Sequence, residues 1–270
     1  MGALAEQPII AAAAVAKYQH GKPASITDQL AVETPIAFVY NCEAYAVMMA
    51  SPGDLTDFAT GFSIAEGIVE SAGEILAVDE TIKGAGISLG IEIPPARAAL
   101  LTDRTRNMAG RSGCGLCGIA EIEQALRPLS RLPNTAPVTA QAINAALVAL
   151  PARQTSNQQT GAVHAAGFAS ASGELLIVRE DVGRHNALDK LIGAVTRAGL
   201  APVSGMVIIT SRCSMEMVQK TATFGCPILV AVSAPTSLAV QIAGDCNLTV
   251  VAFARAGGFN LYTHPERVVS

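Results

Sequence analysis

From residue 139 to residue 253 the sequence alternates apolar runs of strand length with stretches of helical periodicity, and few folds accommodate that alternation. Helices are expected over 139–150, 185–198, 214–224 and 236–244, and strands near 163–169, 174–179, 206–210, 227–233 and 248–253. Strands that alternate with helices predict an α/β domain whose largely parallel sheet is covered on both faces. In such sheets ligands sit at the carboxyl ends of strands, where loops enter helix N-termini. The polar motifs of this half fall at those junctions.

The first half reads differently. Residues 1–30 carry little pattern, and a loosely ordered lead-in is expected there. "PIAFVYNCEAYAVMMA" (35–50) predicts a hairpin about Asn41-Cys42. A helix follows over 51–69, with Asp54 placed to cap it and Leu55, Phe58, Ala59, Phe62 and Ala65 at helical spacing. Short strands near 74–82 and 85–93 and helical patterns over 96–109 and 119–126 complete a smaller α+β subdomain, residues 31–130, that carries a two-cysteine loop. The Pro-rich stretch 127–138 marks the boundary to a C-terminal domain, 138–270.

Composition excludes some functions. A net charge of −4 argues against a general nucleic-acid binder, although one local basic pocket is compatible with it. The longest apolar stretch, 226–244, is broken by Ser233, Pro235, Thr236 and Ser237, so no membrane span is expected. The apolar run 8–16 lacks a basic segment before it and does not read as a secretory signal. Six cysteines in 270 residues are too sparse for a disulfide scaffold and suit free thiols in a reducing cytoplasm. Cys42, Cys213, Cys226 and Cys246 are expected as core thiols.

Four constellations could carry chemistry. Cys114-Gly115-Leu116-Cys117 places two thiols beside Arg111, with a helical pattern following, a setting that favours thiolate. The pair is open to four readings: a zinc half-site, a redox pair, two buried thiols, or a sulfur relay through a persulfide. The zinc reading lacks a second ligand pair elsewhere. "REDVGRHNALDK" (179–190) gathers backbone amides, Arg184 and His185 at a helix start and suits phosphate. Equally, Asp181 could cap that helix while Arg184 pairs with Glu180. His164 opens or precedes a strand, and "TSRCSMEMVQK" (210–220) sets Ser211, Arg212, Ser214 and Glu216 at another strand-to-helix junction, with Lys220 spaced to pair with Glu216. Arg255, with Gly257 and Gly258 behind it, could stack on a flat ring, hold a phosphate, or simply end a strand.

Six blocks, "SGCGLCG", "TGAVHAAGF", "EDVGRHNALDKLIG", "SRCSMEMVQK", "SAPTSLAV" and "FNLYTHPER", occur here in the order in which the FdhD/NarQ proteins carry them. The chain resembles that family from about residue 33 to its C-terminus, with Asn41-Cys42 in place of the usual Asn-Gly, a change expected to alter the turn. The resemblance implies an accessory sulfurtransferase of formate dehydrogenase. Sulfur would arrive from a cysteine desulfurase as a persulfide on Cys114, with Cys117 assisting. It would pass to the molybdenum cofactor in its bis(molybdopterin guanine dinucleotide) form before that cofactor enters the formate dehydrogenase catalytic subunit.

The resemblance further implies that Phe253, Ala254, Arg255, Ala256, Gly257 and Gly258 bind the cofactor. A cytoplasmic homodimer and a cytidine-deaminase-like, three-layer α/β/α C-terminal domain are implied too. His164, Arg184, His185, Ser211 and Arg212 are expected to line the same docking site. Zinc is not expected, because "VHAAG" has Ala166 where a zinc deaminase needs its Glu and Cys226 precedes Pro227 without a partner cysteine. A cofactor chaperone that moves no sulfur, and a thiol–disulfide oxidoreductase, are the alternatives.

Overall fold

The computed structural model describes residues 7–105 and 127–270, with 102–105 as backbone only. Cys114, Cys117, Arg111 and the helix expected over 119–126 lie outside the described residues.

The expected lead-in is instead a hairpin: β1 (Ile10–Gln19) pairs antiparallel with β2 (Lys22–Ala31) around His20-Gly21, both at positive φ. The sequence hid it because β1 is Ala-rich and neither face is buried enough to impose alternation. β3 (Thr34–Tyr40) and β4 (Glu43–Ala50) form the second hairpin as expected. Its turn keeps the left-handed angles of an Asn-Gly turn, Asn41 at φ 46° and Cys42 at φ 72°. Cys42 is therefore an exposed turn residue and not a core thiol. β5 (Ala77–Lys83) and β6 (Gly86–Glu92) complete a four-stranded sheet in the order β4-β3-β6-β5.

Helix α1 (Leu55–Ala65) packs on this sheet through Phe58 and Phe62, whose rings meet Phe38 at 5.0 and 4.2 Å. Asp54 stands at its N-cap position but makes no capping bond; its own backbone is left-handed, and its carboxylate faces Arg179 at 3.4 Å. α2 (Pro95–Thr105) ends the first described segment.

The second segment builds a six-stranded sheet ordered β13-β12-β11-β10-β8-β9. Its strands are β8 (His164–Ser170), β9 (Leu175–Asp181), β10 (Gly205–Ile209), β11 (Ile228–Ala231), β12 (Thr249–Arg255) and β13 (Gly258–Leu261). Two short strands, β7 (Val138–Thr139) and β14 (Val268–Val269), pair separately. Only β10, β11 and β12 are parallel neighbours, so the sheet is mixed rather than largely parallel. The reason is loop length: β8–β9 and β12–β13 are joined by tight turns at Gly173 (φ 89°) and Gly257 (φ 96°), which permit only antiparallel pairing.

Both faces of the sheet are covered. Val207, Ile209, Leu229, Ala231, Val250 and Ala252 point into one apolar cluster, and their alternates Met206, Ile208, Ile228, Val230 and Val251 into another. The first holds α5 (Arg184–Arg197), α6 (Met215–Phe224), α7 (Ser237–Asp245) and also α1; the second holds α3 (Ala140–Ala149). α4 (Thr155–Thr160) is a short turn of helix whose Ser156 and Asn157 amides both donate to Glu180 at 2.8 Å.

One core runs through both halves. α1 and α5 approach so closely that a Cβ on Gly61 would lie 1.7 Å from the Asp189 carbonyl oxygen, and one on Gly193 1.9 Å from that of Asp57. Buried Asp57 bonds Arg179 at 2.7 Å and also Arg197. Lys190 and Asp181, neither accessible to solvent, pair at 2.6 Å while Ser51 gives its amide to Asp181 and its carbonyl to Lys190.

Candidate functional site

Strand direction gathers the predicted residues on one edge. β10, β11 and β12 end there, β9 runs the same way, and β8, antiparallel to both its neighbours, begins there. Along it lie His164 at the start of β8, Arg184 and His185 opening α5 after β9, and Ser211 and Arg212 after β10. The segment Phe253–Gly258 lies at the end of β12. From β9 to β12 the edge crosses four strand spacings, about 19 Å. The cysteine pair lies outside the described residues and cannot be set on this edge.

The strand ends are locally unusual. Phe253 is exposed and left-handed (φ 51°), at the point where the β12–β13 register shifts. Left-handed backbone on an aromatic residue is costly, and such strain collects at ligand sites. Arg212 is exposed, whereas the buried Ser211 hydroxyl donates to the Arg212 carbonyl at 3.1 Å. The loops before α6 and α7 are bound together, since the Cys213 amide donates to the Ala234 carbonyl and the Thr236 amide to that of Cys213.

At the start of α5 the accounting of polar groups fails to close. Arg184 Nε and His185 Nε2 are buried without a hydrogen-bond partner, and the N-cap of this helix is Gly183, which offers no capping side chain. The pairing of Arg184 with Glu180 does not occur, because Glu180 caps α4. Nor does Asp181 cap α5: it accepts from the Gly183 amide at 2.8 Å and from Asn186 at 3.0 Å, and it is the buried partner of Lys190. Ser214 Oγ, at the N-cap of α6, also meets no partner at hydrogen-bonding geometry, though it lies close enough to Glu216 to favour the ionised carboxylate. A native protein leaves few such groups unpaired, and each calls for an explanation.

Electrostatics sharpen the picture. Burial and then the Arg184 charge hold His164 below its ordinary value. His185 is pushed down to about 4 by burial first, then by Lys220 and Arg184. Among the described residues no cluster of three or more His, Cys, Asp or Glu side chains is arranged to hold a metal. Two imidazoles held toward their neutral form, the unpaired Arg184 Nε–H and two helix N-termini without side-chain caps make an edge suited to an anion with several acceptor oxygens.

Lys220 departs from its expected role. It binds Glu66 at 2.9 Å and Asp189 at 2.8 Å instead of Glu216. No local signal could reveal this, since Glu66 lies 154 residues away in sequence. Burial alone would raise the Glu66 carboxyl, but Lys220 and Arg127 outweigh it and bring it to about 2. Among the described thiols Cys42 is exposed, whereas burial pushes Cys213 and Cys226 up to about 12 and raises Cys246.

Comparison with known proteins finds likeness along nearly the whole chain. The profile of the FdhD/NarQ family matches residues 31–269. A protein of Xanthomonas axonopodis pv. citri named sulfur carrier protein FdhD is 50% identical over 256 residues, 94% of this chain and 90% of its own. A protein of the same name from Cupriavidus necator is 46% identical over 264 residues, 98% of this chain and 92% of its own. A crystal structure from Desulfotalea psychrophila, provisionally named a formate dehydrogenase accessory protein, superposes with a TM-score of 0.79. It covers 97% of this chain and all of that one at 24% identity, a likeness of fold.

Proposed function

The chain belongs to the FdhD/NarQ family, and from that premise we propose that it is a sulfur carrier serving formate dehydrogenase, loaded on Cys114 and discharged onto the molybdenum cofactor. The observation that carries the reading is near-full-length likeness to proteins named as sulfur carriers. The inert state of Cys213, Cys226 and Cys246 supports it, because only a thiolate can take up sulfur.

In the first step the Cys114 thiolate attacks the terminal sulfur of a cysteine desulfurase persulfide. The donor's S–S bond breaks, its thiolate leaves, and a new S–S bond forms on Cys114. In the second step the Cys117 thiolate attacks the Cys114 sulfur, which releases hydrosulfide to the cofactor and leaves a Cys114–Cys117 disulfide for a dithiol to reduce. The cofactor, bis(molybdopterin guanine dinucleotide), is the substrate of this step. Its pyrophosphates would meet Arg184, His185, Ser211, Arg212 and Arg255, its guanines would lie against the His164 region, and Phe253–Gly258 would belong to the same binding site. The unpartnered groups at the start of α5 support that docking. We read the layering as cytidine-deaminase-like and the working form as a cytoplasmic homodimer.

Intact-mass measurement after incubation with cysteine and a desulfurase tests the reading. The wild-type protein gains the mass of one sulfur atom, and Cys114→Ala does not. A Cys114→Ala protein that still supports full formate dehydrogenase activity would favour a cofactor chaperone that moves no sulfur.

A further inference from the structure

Beneath the unpartnered groups lies a second layer of charge, and helical spacing ties the two layers together. His185 and Asp189 stand four residues apart on α5, and Glu216 and Lys220 four apart on α6, so each pair shares a helix face. Lys220 Nζ reaches both Asp189 oxygens, at 2.8 and 3.0 Å, and this contact fixes the two helices side by side. His185 and Glu216 are consequently the matching upper pair, one turn nearer the two N-termini.

The lower layer is closed. Lys220 also bonds Glu66 at 2.9 Å and lies over the Phe62 ring at 5.5 Å, while Arg127 holds the other Glu66 oxygen at 2.9 Å. The upper layer is open. His185 is only 8% exposed, yet its Nε2 has no partner, and neither has the neighbouring Arg184 Nε. Burial disfavours a charge on this imidazole most, and Lys220 from α6 and Arg184 from α5 add to it; Glu216 from α6 and Glu66 beyond α1 favour a charge less strongly. With burial and the cations outweighing the carboxylates, the imidazole of the free protein is neutral at neutral pH. A phosphate oxygen set against Nε2 reverses that balance, because it brings negative charge and an acceptor to a buried nitrogen that has no partner.

We propose that docking of a pyrophosphate diester at the paired N-termini of α5 and α6 is coupled to uptake of one proton by His185, with Lys220 as a positioning residue that strengthens the coupling. The proton comes from solvent and is held at Nε2, where it bonds the phosphate; no bond in the ligand changes. The proposal rests on reading this edge as the dinucleotide's docking site.

Calorimetry on the full chain tests it, with diguanosine pyrophosphate as the probe because its diester does not titrate near neutrality. Titrations in two buffers of different ionisation heat count the protons taken up. The wild-type protein takes up protons on binding, and its affinity falls about tenfold per unit rise in pH between the free and bound values of His185. His185→Gln binds without uptake and without that pH dependence. Lys220→Met takes up less near pH 5, since its free imidazole titrates higher.

Loss of Lys220 takes from Asp189 the cation that binds both its oxygens, so NMR titration of His185 in the wild-type protein gives a second reading. The imidazole stays neutral a full unit below its ordinary value of 6.5. Titration at the ordinary value overturns the proposal. Binding without proton uptake overturns it too while the docking reading stands, and absence of binding at every pH overturns both.

Discussion

Lys190, which pairs with Asp181 at the end of β9, and Arg184 with His185 lie within two turns of each other along α5, yet they are treated in opposite ways. Lys190 and Asp181 are sealed from solvent, and the pair is completed by Ser51, Gly183 and Asn186. His185 is nearly as deep and Arg184 is partly buried, and both keep nitrogens without partners. A buried charge that is fully bonded avoids the penalty of desolvation, whereas a buried donor without a partner bears that penalty in full. The Lys190 network clamps β4 and α1 to the C-terminal sheet; the Arg184 pair waits at its edge.

Breaking the satisfied side should have the largest effect. Lys190→Met leaves the buried Asp181 without its cation, and stability in urea should fall by about 3–5 kcal/mol. The unsatisfied side should show itself through pH. His185 is depressed in the folded state to about 4 from 6.5, so the unfolded chain takes up its proton first on acidification. The stability this contributes is complete above pH 6.5 and is lost as pH falls toward 4, a loss of about 3 kcal/mol. Denaturant titrations across that window should show the loss in the wild-type protein and a flatter profile in His185→Gln.

The contact that sets α1 against α5 comes next. Gly61→Ala forces a methyl group onto the Asp189 carbonyl and should cost about 1–3 kcal/mol, read as a lower unfolding midpoint. Smaller still, Cys42→Gly removes a left-handed cysteine from an exposed turn and should raise stability by up to about 1 kcal/mol.

Much of this contrast was legible in the sequence, for identifiable reasons. The alternation over 139–253 is dictated by side chains buried on both faces of a sheet, so the strands and helices there matched expectation closely. The junction residues His164, Arg184, His185, Ser211, Arg212 and Phe253–Gly258 reached one edge because strand direction leaves them no other place. Pairing was not legible. Lys220 was read against its neighbour Glu216, while its partners Glu66 and Asp189 come from two other helical segments brought together by Gly61 and Gly193. The N-terminal hairpin escaped for another reason: exposed on both faces, it carries no periodic signature.

The central claim is that the open groups at the start of α5 serve a ligand and not the fold. Its most direct test is a paired measurement on Arg184→Met, thermal unfolding beside diguanosine pyrophosphate binding. Stability should stay within about 1 kcal/mol of wild type, or rise, because a buried unpaired donor has been removed, while affinity drops at least about tenfold, as expected where a charge-assisted bond to phosphate is lost. A protein that unfolds far more easily and still binds the dinucleotide as tightly as wild type would contradict the account.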